Sequence, residues 1–391
     1  MKPAFPTLPA PHIPVAKPRL PEAHRLMPYL ERLDQSRIYA NIGPVCQELK
    51  ERLGKHFDIT EGGLALTASG SAALVGAILA AAGRRTNRPI ALCASYTFVA
   101  TLSAIQCCGY DPHLADIDPN TWALDPDALR RHPRLHEVGL VAVTAPYGRL
   151  PDLDAWARFR RDTGIPVVID AAASFDVLER LPRAIPPDLP VVLSFHATKA
   201  FGCGEGGAVI CTDPDLFLRV IRATNNGFFG ARHVIGDNIN GKMSEYHGCV
   251  AMAALDYWGA TLWDYKQTAK AYHHAANANG IDAMLRVGGD TSYAYALLHT
   301  STEEQAIFVR DQLAAKGIDS RFWYGRGLHR ETGFGPFDCD PMPVTDSLSH
   351  RLLGLPFYAD LAISAIEEIC KTVAQAMEII PIEGVQNVGR P

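Results

Sequence analysis

Residues 194–199, Ser-Phe-His-Ala-Thr-Lys, and the glycine-rich residues 202–207 that follow them decide the fold of this 391-residue chain. They place Lys199 directly after the end of 191–195, an apolar run typical of a buried strand. Lysine is mostly a solvated surface residue, so this position needs an explanation. Either the ammonium simply extends to water, or the amine serves to form a Schiff base. Other residues of the chain that a Schiff-base site would need can distinguish these two hypotheses.

A carboxylate ends an earlier apolar run. Residues 165–169, Ile-Pro-Val-Val-Ile, predict a strand, and Asp170 follows it directly before several small residues. An acid at the carboxyl end of a strand in an α/β sheet points into the crevice where ligands bind. Taken alone, Asp170 is explained equally well as a helix N-cap, because aspartate suits that position.

A break rich in serine and glycine lies between a predicted strand and a long predicted helix. The strand covers 63–67, the break contains Gly70 and Ser71, and the alanine-rich helix covers 72–82. Free backbone N–H groups and the positive end of a helix dipole attract a phosphate to such a break. Serine is also a common helix cap, so this signal is weak by itself.

These three features together meet the chemical needs of pyridoxal 5′-phosphate (PLP). A lysine binds the cofactor's aldehyde and later moves a proton, and an acid keeps the pyridine nitrogen protonated. A helix N-terminus anchors the phosphate. The order of the three features within one α/β pattern therefore predicts a PLP site that contains Lys199 and Asp170.

The lysine stretch with Glu205-Gly206-Gly207 resembles the signature of the nucleotide-sugar aminotransferases, the DegT/DnrJ/StrS-like family. The resemblance extends from about Pro21 to about Cys370. Further segments recur in the family order: 36–44, 96–101, 116–119 with 124–126, 146–148 and 240–245. The resemblance implies the α/β fold of the fold-type I (aspartate aminotransferase-like) PLP-dependent transferases.

The resemblance also implies a role for each matching residue. Lys199 is the residue that binds PLP covalently, and Asp170 is the partner of the pyridinium nitrogen. The phosphate ligands are Gly70, Ser71 and Ser194.

Three further roles follow from the resemblance. Phe98 stacks on the cofactor ring, and Asn240 reaches the phosphate bound by the neighbouring subunit of a homodimer with shared active sites. The basic residue two positions later, Lys242, faces the acidic substrate.

Two positions depart from the family pattern. The family usually has histidine or glutamine three residues after the aspartate, where it donates toward the cofactor's phenolic oxygen, and here that residue is Ala173. Another side chain or a water molecule then has to serve this oxygen. The segment 324–329 lacks the proline that the family tends to have before Leu-His, so the substrate loop differs, although His329 stays a candidate substrate-binding residue.

Alternating apolar runs and helix-length segments predict the organisation. They indicate a mostly parallel sheet with helices on both faces, within an N-terminal arm and large PLP-binding domain over 1–255. A smaller C-terminal α/β domain covers 256–391, and residues 333–343 are predicted to form a loop near the site entrance. The seven strands of the large sheet are predicted near Leu64, Ile90, His113, Val138, Val167, Val191 and Ala208.

Composition limits the classes of partner. With a net charge of −5 and 20% charged residues, the chain lacks the excess of basic residues that proteins use to bind nucleic acid. No apolar run is long enough to span a membrane. Residues 1–21 lack the pattern of a signal peptide. Nine cysteines without a Cys-x-x-Cys pair predict reduced, packed thiols in a cytoplasmic protein, with Cys203 as the alternative candidate for a reactive one.

Two motifs are predicted to be decoys. Residues 202–207 match G-x-G-x-x-G but precede a strand, so a turn is favoured over a dinucleotide site. His132 and His136 have the spacing of helical metal ligands but no suitable carboxylate partner, which favours a solvated loop and no metal.

The resulting hypothesis is a PLP-dependent transaminase that moves an amino group from L-glutamate, the family's usual donor, to a nucleotide-linked keto-sugar. The alternatives on the same scaffold are a sugar dehydratase and a cyclitol aminotransferase. Retention of Lys199 argues against the dehydratases that replace it with histidine. A non-catalytic PLP-binding regulatory protein is the hypothesis from another class. The sugar, the aminated carbon and the stereochemistry are left open.

Overall fold

The computed structural model describes residues 12–59, 63–85, 87–180, 185–230, 232–334 and 337–379. The strands of the described residues are β1 (Leu64–Thr67), β2 (Ile90–Ala94), β3 (Asp111–Ala115), β4 (Val138–Thr144), β5 (Val167–Asp170), β6 (Val191–Ser194), β7 (Gly207–Ile210), β8 (Leu285–Val287), β9 (Ala296–His299), β10 (Asp338–Cys339) and β11 (Leu352–Leu355). The α-helices are α1 (Ala23–Ser36), α2 (Pro44–His56), α3 (Gly70–Ala82), α4 (Val99–Cys107), α5 (Pro126–Leu129), α6 (Leu153–Thr163), α7 (Phe175–Arg180), α8 (Pro214–Thr224), α9 (Glu245–Asp256), α10 (Trp258–Ala278), α11 (Glu303–Ala315), α12 (Pro343–Ser349) and α13 (Ile363–Ile379).

The large sheet has the strand order β1-β7-β6-β5-β4-β2-β3-β10. Strand β7 is antiparallel to both of its neighbours, and the other strand pairs are parallel. Along β4, Val141 and Val143 enter one core while Leu140 and Ala142 enter the other. Because successive side chains of a strand point to opposite faces, the sheet is covered by helices on both sides. The predicted fold class and all seven predicted strands are confirmed.

An eighth strand, β10, lies within the segment predicted to be a loop. Asp338 and Cys339 pair with His113 and Leu114 of β3, and the backbone N–H of Asp340 donates to the carbonyl of Leu114 at 2.9 Å. The pairing covers the edge of the sheet that β3 would otherwise expose. The loop prediction was therefore wrong at these residues.

The prediction of a solvated loop was also wrong for His132. Its side chain is only 5% exposed, and the Nε2 atoms of His132 and His113 lie 3.3 and 3.0 Å from the same carboxylate oxygen of Asp340. The Nδ1 of His132 accepts from the backbone N–H of Arg134, which requires the proton of a neutral ring to be on Nε2, facing Asp340. Asp340 is thus the carboxylate partner that the sequence analysis did not find for His132, and its contacts with the two histidines hold the end of β10. His136 is exposed, as predicted.

A second, antiparallel sheet of β8, β9 and β11 packs with α10, α11 and α13. Its connection to the large sheet includes Asp176 of α7, a fully buried carboxylate that accepts hydrogen bonds from the Ser292 hydroxyl at 2.7 Å and the Tyr293 N–H at 2.9 Å. Arg180 pairs with the same carboxylate at 3.1 Å. The proposed division of the chain at residue 255 stays a prediction.

All nine cysteines are free thiols, and seven of them are buried. Cys203 is buried, and burial raises its pKa to about 12, which favours the packed thiol over the reactive one. Residues 202–207 form the turn into β7, with Gly204 at φ +92°, and the decoy interpretation is confirmed. Among the described helices, none has the length and apolar character that crossing a membrane requires.

Candidate active site

Lys199 lies in the turn that connects β6 to β7. The turn is held by the Lys199 N–H, which donates to the His196 carbonyl at 2.9 Å, and by the Cys203 N–H, which donates to the Phe195 carbonyl at 2.8 Å. The side chain is partly buried, and its Nζ donates to the hydroxyl of Tyr295 at 3.4 Å. The lysine therefore turns inward to a hydroxyl instead of extending to water.

Asp170 ends β5, two strands away from β7, and its side chain is buried. Its carboxylate accepts from the Thr101 hydroxyl at 2.5 Å and from the Ala172 N–H at 3.2 Å. Burial raises the pKa of Asp170, while these hydrogen bonds and the nearby charge of Lys199 oppose the shift. Since α7 begins only at Phe175, Asp170 does not cap that helix, and the helix-cap hypothesis was wrong.

The break rich in serine and glycine, which is predicted to bind the phosphate and is called the phosphate cradle below, joins the end of β1 to the N-terminus of α3. The Ser69 hydroxyl caps α3 by accepting from the Ala72 N–H at 3.1 Å. Gly70 touches β6 so closely that a Cβ added there would lie 2.7 Å from the Cβ of Ser194. Ser71 is exposed in the first helical turn, and Ser194 is 7% exposed. The fold thus brings together Gly70, Ser71 and Ser194 at one helix N-terminus, which attracts anions.

Replacement of Gly70 by alanine is expected to destabilise the cofactor-free protein by about 1–3 kcal/mol, because the added methyl group overlaps the Ser194 side chain. We also expect cofactor affinity to fall at least about tenfold, because the cradle must open. Thermal unfolding and cofactor titration measure the two effects. The control is Gly259→Ala, where an added Cβ meets nothing within 4 Å and helix propensity favours alanine. Equal behaviour of the two variants would contradict the cradle geometry.

Phe98 is an exposed aromatic residue at the start of α4, with 61% of its surface accessible. One helical turn later, Thr101 holds Asp170. Thr97, which precedes Phe98, forms a hydrogen bond between its hydroxyl and that of Thr144 in β4 at 2.7 Å. Phe98 is therefore close in sequence to the residue that holds the buried carboxylate, and its exposed ring offers apolar surface to a ligand.

Asn240 and Lys242 lie in the segment that follows α8. The Nζ of Lys242 donates to the amide oxygen of Asn240 at 2.7 Å, and burial lowers the pKa of Lys242. Between them, the carbonyl of Gly241 accepts from the Ala68 N–H at 2.7 Å. Ala68 leads into the cradle of the same chain, so Asn240 and Lys242 lie beside the phosphate region. Their predicted roles toward a partner subunit and the substrate stay predictions.

His329 is held in place by both ring nitrogens. Its Nδ1 is 2.6 Å from the hydroxyl of Ser95, and its Nε2 is 3.0 Å from a carboxylate oxygen of Asp346. Its side chain is 8% exposed. Ser95, His329 and Asp346 form the serine–histidine–aspartate hydrogen-bond chain of a hydrolase triad. Ser95 is fully buried, however, and has no access to a substrate. The predicted contact of His329 with substrate stays a prediction.

The sequence analysis missed, as site residues, a cluster of four tyrosines that reaches Lys199 through Tyr295; three of the four are buried and Tyr324 is partly buried. The Tyr96 and Tyr147 hydroxyls are 2.7 Å apart, the Tyr147 and Tyr324 rings are stacked at 4.8 Å, and the Tyr295 ring packs edge-on against Tyr147 at 5.2 Å. Burial raises the pKa of Tyr147 and Tyr324 well above the usual value. The four residues come from separate segments, so no linear motif connects them.

The residues present fit PLP on three independent observations. Asp170 is a buried carboxylate that forms no ion pair within the described part of the chain, and a pyridinium nitrogen would supply the missing cation. Gly70 packs so closely on Ser194 that a Cβ could not fit between them, and this packing brings the Ser194 hydroxyl to the N-terminus of α3, where a phosphate is attracted. Phe98 exposes a ring for stacking.

Comparison with known proteins identifies the family. The model of the DegT/DnrJ/EryC1/StrS aminotransferase family matches residues 22–374. The chain belongs to this family. A dTDP-4-amino-4,6-dideoxy-D-glucose transaminase of Shigella dysenteriae is 29% identical over 371 residues, which cover 92% of this chain and 98% of the relative. A UDP-2-acetamido-2-deoxy-3-oxo-D-glucuronate aminotransferase of Pseudomonas aeruginosa is 25% identical over 277 residues, which cover 70% of this chain and 76% of the relative.

Solved structures agree with this assignment. The structure of DesI in the presence of its TDP-sugar product is 26% identical in sequence, with a TM-score of 0.76, and the match covers 92% of this chain and 91% of DesI. The family and its named transaminases make this chain a PLP-dependent transaminase of the sugar aminotransferase family.

Proposed function

We propose that this aminotransferase takes an amino group from L-glutamate and transfers it to the keto group of a nucleotide-linked deoxysugar, using PLP held by Lys199 and Asp170. The observation that carries the proposal is the buried Asp170 carboxylate, which forms no ion pair among the described residues and lies near enough to Lys199 to be influenced by its charge. When bound, PLP supplies an electron-withdrawing ring that stabilises negative charge at the substrate carbon.

Each of the proposed site residues has a separate role. Asp170 holds the proton of the ring nitrogen, and its hydrogen bonds from Thr101 and Ala172 keep it oriented. Gly70, Ser71 and Ser194 anchor the phosphate, so that the ring cannot shift during turnover. When it is not bonded to the cofactor, the Nζ of Lys199 would take the proton from the α-carbon of the amino donor and deliver it to the cofactor's C4′ carbon. The exposed ring of Phe98 limits movement of the cofactor on one face.

The alternatives differ in the product that they form. A dehydratase would remove a hydroxyl group from the sugar and leave no amine, and a cyclitol aminotransferase would aminate a ring without a nucleotide. The relatives named as transaminases of nucleotide-linked sugars favour the proposed acceptor over both. A regulatory protein that only binds PLP would have no need of a proton-moving lysine.

A screen of acceptors tests the proposed substrate class. The protein is loaded with pyridoxamine 5′-phosphate and mixed in turn with nucleotide-linked 3-keto and 4-keto sugars, a keto-cyclitol and the free sugars. We expect return of the PLP absorption band and an amino-sugar product with a nucleotide-linked sugar alone. Amination of the keto-cyclitol only would replace the proposed acceptor, and loss of water without amination would favour the dehydratase.

The active site is proposed to be shared across a two-fold homodimer, with Asn240 acting on the partner's phosphate. Lys199→Ala and Asn240→Ala should each be poor enzymes, yet a mixed dimer contains one site with both changes and one with neither. Random reassortment makes half of the dimers mixed, so about a quarter of all sites should be intact in the unseparated mixture and about half of the sites in purified mixed dimers. Co-expression with two different tags, followed by purification of mixed dimers and rate measurement, checks this. Mixed dimers no more active than the average of the two variants would place Asn240 within its own subunit's site.

The cytoplasmic location also stays a proposal. It is supported by seven buried thiols, none of them in a disulfide, as suits a reducing compartment.

A further inference from the structure

The hydrogen-bond donor that relatives carry three residues after the aspartate is missing from this chain. The methyl group of Ala173 cannot donate, and the residue is 8% exposed, so water has little access to it. A phenolic oxygen that carries negative charge beside a buried site is costly without a donor. The inference that follows rests on the proposed function, because it concerns the group that replaces this donor toward PLP.

The backbone around Ala173 packs against a turn that carries a tyrosine. A Cβ added to Gly148 would lie 2.8 Å from the carbonyl oxygen of Ala173 and 2.7 Å from the Cβ of Ser292. Ser292 opens a turn that is closed by the Tyr295 N–H, which donates to the Ser292 carbonyl at 3.1 Å. The Ser292–Tyr295 turn is therefore a near neighbour of residue 173, because both pack against the same side of Gly148.

The hydroxyl of Tyr295 is the group of this turn that reaches the reacting lysine. It accepts a hydrogen bond from the Nζ of Lys199 at 3.4 Å, and Tyr295 is 8% exposed. Nothing in the described part of the chain accepts the proton of this hydroxyl, although buried polar groups usually have their partners. The unused O–H thus lies beside Lys199 and has a donor to offer to a ligand.

The hydroxyls of the other three tyrosines contact groups other than Lys199. The Tyr96 and Tyr147 hydroxyls bond to each other at 2.7 Å. The hydroxyl of Tyr324 accepts from the Tyr147 N–H at 3.3 Å. Of the four, Tyr295 is the one whose hydroxyl contacts the Nζ of Lys199.

We propose that Tyr295 is a further catalytic residue, which accepts a hydrogen bond from Lys199 and donates its own proton in a hydrogen bond to the phenolic oxygen of PLP, in place of the donor that Ala173 cannot supply. The small side chain at 173 and the tyrosine at 295 then form one arrangement, since the turn that carries the tyrosine packs beside the backbone of residue 173.

The test is the pH dependence of the absorption band of PLP bound to the Tyr295→Phe variant. Phenylalanine keeps the ring packing against Tyr147 and Trp323 and removes only the hydroxyl. A donor to the phenolic oxygen stabilises its anionic form, so loss of the donor should move the midpoint of the spectral change to higher pH by about one pH unit. The half-reaction with the amino donor should slow by about tenfold or more.

Two control variants separate Tyr295 from its surroundings. Tyr293→Phe changes a tyrosine in the same turn whose ring instead stacks on Tyr265 at 6.2 Å, and its midpoint should equal that of the parent. Tyr324→Phe removes the hydroxyl that competes with Tyr295 for the role of donor to the phenolic oxygen, and its midpoint should also equal that of the parent. Introducing Ala173→His into the Tyr295→Phe variant should move the midpoint back toward the parent value.

An unchanged midpoint in Tyr295→Phe would overturn the proposal, and so would a shift produced by Tyr324→Phe alone. Failure of the parent protein to bind PLP at Lys199 is a different result, because it would refute the proposed function itself. A parent that binds PLP and reacts with the donor, together with an unshifted Tyr295→Phe variant, refutes only the role of Tyr295.

Discussion

Lys199→Ala should reduce transamination by at least about 10³-fold, because it removes both the covalent attachment of PLP and the group that moves the proton. The fold should tolerate the change, since the side chain is only partly buried and its one hydrogen bond is long, at 3.4 Å. Initial rates with saturating cofactor and donor measure the effect, and thermal unfolding checks the fold.

The matched control for this prediction is Lys270→Ala, which removes an exposed lysine from α10. This variant should retain the parent rate. An Lys199→Ala enzyme that kept a rate within tenfold of the parent would show that another amine performs the chemistry, and the assignment of the site would have to be abandoned.

Asp170→Asn is expected to lower activity by about 10²–10³-fold while PLP still binds. An amide cannot hold the proton on the pyridine nitrogen by ion pairing, so the ring withdraws fewer electrons. The cofactor-free variant should be at least as stable as the parent, because burial makes the ionised form of Asp170 costly, as its raised pKa indicates. Rates, cofactor titration and thermal unfolding of the cofactor-free proteins measure these three outcomes.

Asp176→Asn is the contrasting variant, because it changes another fully buried aspartate. Asp176 pairs with Arg180 and holds the Ser292 hydroxyl, so its loss should destabilise the fold by about 3 kcal/mol and leave the rate per folded molecule close to that of the parent. The opposite pattern, in which Asp170→Asn loses stability and keeps its rate, would make Asp170 a structural residue.

Much of the fold and of the catalytic pair could be predicted because both depend on local patterns. Apolar runs followed by Asp170 and Lys199 mark the carboxyl ends of β5 and β6, and parallel strands bring such ends to one edge of the sheet. The strand-break-helix pattern around Gly70 likewise predicted the cradle. Each of these signals lies within a short stretch of sequence.

The parts that escaped prediction depend on contacts between distant segments. Strand β10 is only two residues long and lies within sequence rich in glycine and proline. It forms because its backbone pairs with the edge of β3 and because His113 and His132 both contact Asp340, the residue that follows it. Tyr295 approaches Lys199 only because the second sheet packs beside the first. The position of Ala173 signalled that a donor was missing, but the sequence could not say which residue replaces it.

Borohydride reduction of the PLP-loaded protein, with and without prior incubation with L-glutamate, tests the central claim most directly. Reduction should fix the cofactor on Lys199, whose amine points inward to Tyr295, and peptide mapping should locate it there. Prior incubation with glutamate should abolish this labelling and release about one 2-oxoglutarate per bound cofactor, since a transaminase half-reaction consumes one donor per site. Cofactor fixed on a different lysine, or labelling of Lys199 that neither glutamate nor any other amino donor prevents, would contradict the account.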